Sequence, residues 1–91
     1  MRNKTCWIIG ASQGIGEALA KKYFDSGFDL AISARNEDKL KSIRNDLLSQ
    51  NQNRSNQIFV TPADVGEAVS IQSSLDLILE KFGEIDLVIF C

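Results

Sequence analysis

The hydrophobic positions of the 91-residue chain alternate between short continuous runs and longer helical spacings, without a repeat or a long low-complexity tract. Thr5–Ile9 (TCWII) is β-branched and aromatic and is bounded by Gly10, the pattern of a buried strand. Over Gly14–Ser26, Ile15, Leu19 and Tyr23 recur at four-residue spacing and are joined by Ala18 and Phe24, which predicts an amphipathic helix. Gly27 stands where such a helix is capped. Asp29–Ala34 (DLAISA) predicts the second strand, and Asn36 is placed to cap a second helix with Leu40, Ile43, Leu47 and Leu48 on one face. Ser49–Gln57 is polar and aperiodic, a solvated spacer without chemistry. Ile58–Thr61 predicts a third strand ended by Pro62. A third helix is expected from Glu67 to Phe82, with Val69, Gln72, Leu75, Leu79 and Phe82 along one side and Gly83 as its stop. Ile85–Cys91 (IDLVIFC) is a last, continuously apolar strand.

This order of strands and helices calls for a parallel sheet with helices on its faces. Parallel neighbours need helical crossovers, and the doubly wound solution is an α/β sheet of strand order 3-2-1-4. Ligands of such sheets sit beyond the C-terminal strand ends, at the switch between strands 1 and 4, where Gly10 and Cys91 both fall. Cys6 lies several residues back along its strand, on the order of 13 Å from Cys91 at ~3.3 Å per residue, so no disulfide is expected between them.

Composition narrows the chemistry. Net charge is −2, from ten basic and twelve acidic residues, which offers no broad attraction for nucleic acid or an anionic membrane. There is no histidine, so histidine general-base chemistry and histidine metal ligation are excluded within these residues. The two cysteines have no neighbour to complete a zinc pattern, and no metal site is expected. No apolar stretch has the length of a signal peptide core or a membrane span. A reducing, cytoplasmic setting fits these features.

The feature with chemistry in it is Gly10-Ala11-Ser12-Gln13-Gly14-Ile15-Gly16, between the first strand and the first helix. Gly10 lets the chain leave the strand in a tight turn, Gly14 lets the backbone approach a pyrophosphate, and Gly16 lets the helix pack against the sheet. The unpaired N–H groups of the helix start attract a phosphate, and Ser12 and Gln13 add polar contacts beside it. Taken alone, the glycines could simply turn the chain; their place inside a strand–helix–strand unit favours dinucleotide binding. No Gly-Lys-Ser/Thr follows, which excludes a P-loop nucleotidase. At the end of the second strand, about 20 residues on, NAD-selective folds place an acidic residue against the ribose 2′-hydroxyl. Arg35 stands there instead, and a guanidinium pairs with a 2′-phosphate, so NADP(H) is favoured and NAD(H) left open. The same substitution disfavours a methyltransferase of similar fold. Asn36 could assist Arg35 or act only as a helix cap. Asp64, with Val65 beside it, could hold an adenine amino group or merely cap the next helix. Asp76 reads as a solvated helix residue and Asp86 as a strand-entry residue.

Together these residues resemble the short-chain dehydrogenase/reductase family over essentially the whole chain. The resemblance rests on GASQGIG, on SAR at 33–35, on ADV at 63–65 and on IDLVIFC. It implies that Ser12, Gln13 and Ile15 line the pyrophosphate and ribose, that Arg35 meets the 2′-phosphate, and that Asp64 and Val65 hold adenine. It also implies an oxidoreductase moving hydride between nicotinamide and a small alcohol or carbonyl substrate, for which a homo-oligomer is compatible. Three positions depart from the family pattern: Ile9 replaces a common Thr, Gln13 a basic residue frequent in NADP-preferring members, and Phe90-Cys91 an Asn pair. NADP preference therefore rests on Arg35. The family's catalytic Ser and its Tyr-x-x-x-Lys pair have no counterpart in residues 1–91; Tyr23 is followed at that spacing by Gly27. Residues 1–91 are accordingly expected to be the N-terminal part of a single NAD(P)-binding domain of a longer protein. LVIF, suited to burial on both faces, would otherwise form an unprotected edge and make the piece poorly soluble. A non-catalytic dinucleotide-binding module, acting as sensor or scaffold, is the alternative that the same residues would serve.

Overall fold

A computed structural model describes residues 3–11, 14–50, 55–64 and 66–91. Its elements follow in the order β1 (Thr5–Ile9), α1 (Gly14–Asp25), β2 (Asp29–Ser33), α2 (Glu37–Gln50), β3 (Ile58–Val60), α3 (Ala68–Phe82) and β4 (Leu87–Phe90). The strands form one parallel sheet of order β3-β2-β1-β4, the expected doubly wound arrangement. β1 is central, with Ile9 opposite Ser33 on one side and opposite Phe90 on the other. All five of its residues are buried, as a continuous apolar run demands when both faces of a strand are covered. The same register sets Cys6 opposite Leu87, at the other end of the β1–β4 pair from Cys91, and both cysteines are free thiols.

Side chains alternate between two cores. Cys6, Ile8, Leu30 and Ile32 meet α1 and α2 through Ala20, Phe24, Leu40 and Ile43. Trp7, Ile9 and Ala31 face the other way, toward Ile78 of α3. Gly27 and Gly83 close their helices as expected, donating to the carbonyls of Phe24 (3.0 Å) and Leu79 (2.8 Å). Asn36 caps α2: its Oδ1 accepts the Lys39 N–H at 3.1 Å. Asp86 opens β4 by accepting the Thr5 N–H at 2.7 Å.

The faces of two helices differ from expectation. In α1 the fully buried positions are Gly16, Ala20 and Phe24, with Leu19 and Tyr23 half-buried, whereas Ile15 and Ala18 are exposed. Small residues line the contact, which lets the helix axis approach the sheet. In α3 the inward stripe is Ile71, Ser74, Leu75, Ile78 and Phe82, while Val69 (79% exposed) and Leu79 point outward. Ser74 takes an inward place because it has a buried partner: the Thr61 hydroxyl donates to its Oγ at 2.8 Å. Leu48 is likewise at the exposed margin of α2.

Ser49 and Gln50 belong to α2, residues 51–54 of the expected spacer lie outside the described residues, and its last part is not merely a spacer. Asn56 is buried, and its amide nitrogen donates to the carbonyls of Phe24 (3.0 Å) and Phe28 (2.6 Å). β4 is shorter than expected and buries only one side: Leu87 and Ile89 pack on the α1 side, while Val88 and Phe90 (68%) are exposed. The difference has a direct cause, since α3 alone lies on that face among the described elements and it covers Trp7 and Ile9 rather than β4.

Candidate dinucleotide site

β1 delivers the chain to the sheet's C-terminal edge at Gly10, where the backbone must reverse into α1. Gly10 has φ +92°, and a Cβ there would lie 2.8 Å from the Cys91 carbonyl oxygen. Only glycine fits both the conformation and the space. Among the described residues the turn is braced by the Ser33 carbonyl, which takes the N–H groups of Gly10 (2.7 Å) and Ala11 (3.2 Å). These two bonds are main chain to main chain, so Ile9 in place of a hydroxyl residue leaves them intact.

Gly16 has a different role from Gly10. A Cβ on it would strike the Gly10 carbonyl oxygen and stand 2.8 Å from the Ala11 Cα, both parts of rigid backbone. The first turn of α1 therefore rests directly on the glycine turn, a tighter contact than helix against sheet. Gly14 faces open space, with nothing within 4 Å of where a Cβ would be. Ser12 and Gln13 lie outside the described residues, as does Val65.

Gly10, Gly14, Ile15 and Gly16 open onto a crevice of ≈ 520 Å³ whose other wall is Ile89, Phe90 and Cys91. This is the switch point between β1 and β4. Ile15 is 75% exposed and lines this opening, so of its two readings above, the apolar helix face and a cofactor contact, burial on the helix face does not hold.

The second part of the site lies at the end of β2. Arg35 is exposed and shares a cavity of ≈ 180 Å³ with Pro62, Ala63, Asp64 and Ser70. The Ala34 carbonyl accepts the Ala63 N–H at 3.1 Å, which brings the segment after β3 alongside Arg35. Asp64 is held in a turn: its Oδ1 accepts the Gly66 N–H at 2.9 Å and its own N–H donates to the Ser70 Oγ at 2.9 Å. The turn role and a place beside Arg35 thus coexist in one residue. Ser70 carries no motif that would single it out beforehand, and the Ser33 and Cys91 carbonyls act through main chain, which has no residue signature. Asn36 is occupied as a helix cap.

Tyr23 is half-buried in α1 and packs edge-on against Phe28, centroids 5.1 Å apart, away from the crevice lining. No group of three or more potential metal ligands converges among the described residues, and no helix among them is long and apolar enough to cross a membrane.

A parallel sheet of order 3-2-1-4 with a glycine turn at its switch point defines a Rossmann-type fold. The family model described as "short chain dehydrogenase" matches residues 4–91. The chain belongs to that family. It is 33% identical over 89 residues to the NADPH-dependent reductase BacG of Bacillus subtilis, covering 98% of this chain and 34% of that one. Among solved structures, an alcohol dehydrogenase from the archaeon Thermococcus sibiricus, complexed with 5-hydroxy-NADP, superposes with a TM-score of 0.86 at 37% identity. That match covers 96% of this chain and 36% of the other. A short chain dehydrogenase/reductase from Burkholderia phymatum in complex with NAD matches with a TM-score of 0.85 at 26% identity, over 96% of this chain and 30% of its own. The chain spans roughly a third of the length of these relatives.

Proposed function

We propose that residues 1–91 are the N-terminal part of one NAD(P)-binding domain, that they hold a nicotinamide dinucleotide, and that NADP(H) is preferred to NAD(H). The observation that carries this reading is the pairing of two places. One is a turn with no room for a Cβ at Gly10 or Gly16, opening on the β1–β4 crevice; the other is a cavity shared by Arg35 and Asp64 at the end of β2. The cradle fits a pyrophosphate, which needs close backbone approach and unpaired N–H groups at a helix start. Ser12, Gln13, Gly14 and Ile15 line the pyrophosphate and its ribose. Arg35 takes the 2′-phosphate through a charge-assisted bond, and Asp64 and Val65 border adenine. A nicotinamide dinucleotide supplies a hydride; the protein carrying these residues passes it to or from a small alcohol or carbonyl compound.

The cofactor assignment is tested by titrating NADPH and NADH into the native protein and its Arg35→Ala variant. NADPH binding weakens by about 2 kcal/mol, roughly 30-fold, while NADH binding is spared, as loss of one charged hydrogen bond predicts. Equal losses for both cofactors would refute the 2′-phosphate role. Because residues 1–91 contain no Tyr-x-x-x-Lys pair, a dinucleotide-holding module without catalysis makes the same demands on them. NADPH oxidation with a panel of small aldehydes and ketones separates the two: a module binds the cofactor and leaves it unoxidised.

A further inference from the structure

Ser33, the last residue of β2, is bonded in two directions. Its carbonyl holds the glycine turn through the N–H groups of Gly10 and Ala11. Its hydroxyl, fully buried, accepts the indole Nε1–H of Trp7 at 2.8 Å. Trp7 pairs with Ala31 across the sheet, so the indole reaches diagonally along one face to the next outward-pointing residue of β2. There it lies among Ile9, Ala31 and Ile78, beneath α3. A hydroxyl and an indole N–H inside an apolar core are costly unless they satisfy one another, and here they do. The bond is directional where its neighbours are not: it restrains the side-chain torsion of Ser33 and so anchors the residue whose carbonyl takes the two N–H groups of the turn.

We propose that Trp7 and Ser33 are positioning residues for the dinucleotide, the indole–hydroxyl bond holding the Ser33 carbonyl where the glycine turn is shaped for a pyrophosphate. The proposal rests on the reading of the turn as the pyrophosphate cradle. Neither side chain touches the ligand, and the effect passes through the main chain of residue 33.

The test measures dissociation constants of NADPH, NADH and adenosine 2′-monophosphate for the native protein and for Trp7→Phe, Ser33→Ala, the double variant and Ser33→Thr. The expected result is that Trp7→Phe and Ser33→Ala weaken both dinucleotides alike, by about 5- to 10-fold, the net worth of one hydrogen bond. Adenosine 2′-monophosphate, which lacks the pyrophosphate, stays within about 2-fold on the same reasoning. The double variant is no worse than either single one, because both remove the same bond. Ser33→Thr, which keeps the hydroxyl, restores affinity. Should Ser33→Ala fail to fold, Trp7→Phe, which removes the indole donor and keeps the Ser33 hydroxyl, carries the comparison. Unchanged dinucleotide affinity overturns the proposal, and so does an equal loss for the monophosphate, which marks general loosening. Wild-type protein that binds neither dinucleotide overturns the reading of the turn and this proposal with it; tight wild-type binding with indifferent variants overturns the proposal alone.

Discussion

At the scale of single residues, burial decides chemistry more than identity does. Cys6 has no exposed surface, and desolvation pushes its thiol from 9.0 up to about 11. The thiolate is disfavoured inside the fold, whereas the unfolded chain forms it at the ordinary pH near 9. The folded state therefore keeps its full stability below about pH 9 and loses it as pH climbs toward 11, by about 2–3 kcal/mol in all. Urea unfolding of wild type and Cys6→Ala between pH 8 and pH 11 isolates that slope, since other groups titrate equally in both. Parallel pH profiles would exclude the role of Cys6. Its residue type and its place in an apolar run are visible in the sequence; that its thiol is wholly desolvated depends on α1 and α2 closing over it. Arg35 is the opposite case. Its position after β2 is legible from the chain alone, and the structure sets it exposed at the rim of a cavity.

At the scale of elements, strands were easier to read than the faces of helices. A continuous apolar run such as Thr5–Ile9 has one interpretation in a parallel sheet, and its pairing on both sides follows. α3 offers apolar residues on more than one side, at Val69, Ile71, Leu75, Leu77, Ile78 and Leu79, so spacing alone does not choose its inward stripe. The stripe that turns inward also carries a hydroxyl pair, Thr61 with Ser74, that joins residues from different elements and has no apolar spacing to mark it. The same kind of contact was hidden in the polar tract before β3. Asn56 looks like a solvated residue among its neighbours, yet its amide holds together the end of α1 and the approach to β2. Asn56→Ala leaves two carbonyls without this donor in a buried place and costs about 2–3 kcal/mol, a shift readable in the urea midpoint. Asn56→Asp, which removes the donor and adds a charge, costs more. A midpoint unmoved by Asn56→Ala would show that water replaces the amide.

At the scale of the whole molecule, the sheet order and the location of the crevice were both legible, because parallel pairing and the glycine turn leave few arrangements open. The uneven coverage of the two faces was not, since it depends on where one helix settles. Among the described residues two helices lie over one face and α3 alone over the other, which leaves Val88 and Phe90 of the edge strand β4 exposed. Apolar side chains on an open strand edge promote association. Residues 1–91 expressed by themselves are expected to self-associate and to bind a hydrophobic dye, and Val88→Thr with Phe90→Lys should diminish both, as followed by sedimentation and dye fluorescence. A monodisperse, dye-silent product of the unaltered residues would contradict the exposure of that edge. The wall that Cys91 supplies to the turn also sets a schedule. β1, α1 and β2 are neighbours in the chain and meet early, but the crevice needs the Cys91 N–H on the Ile9 carbonyl and the Cys91 carbonyl over Gly10, a closure that spans nearly all of the described residues. A nascent chain emerging from the ribosome thus carries its glycine signature before it owns a crevice, which is walled only once the fourth strand has arrived.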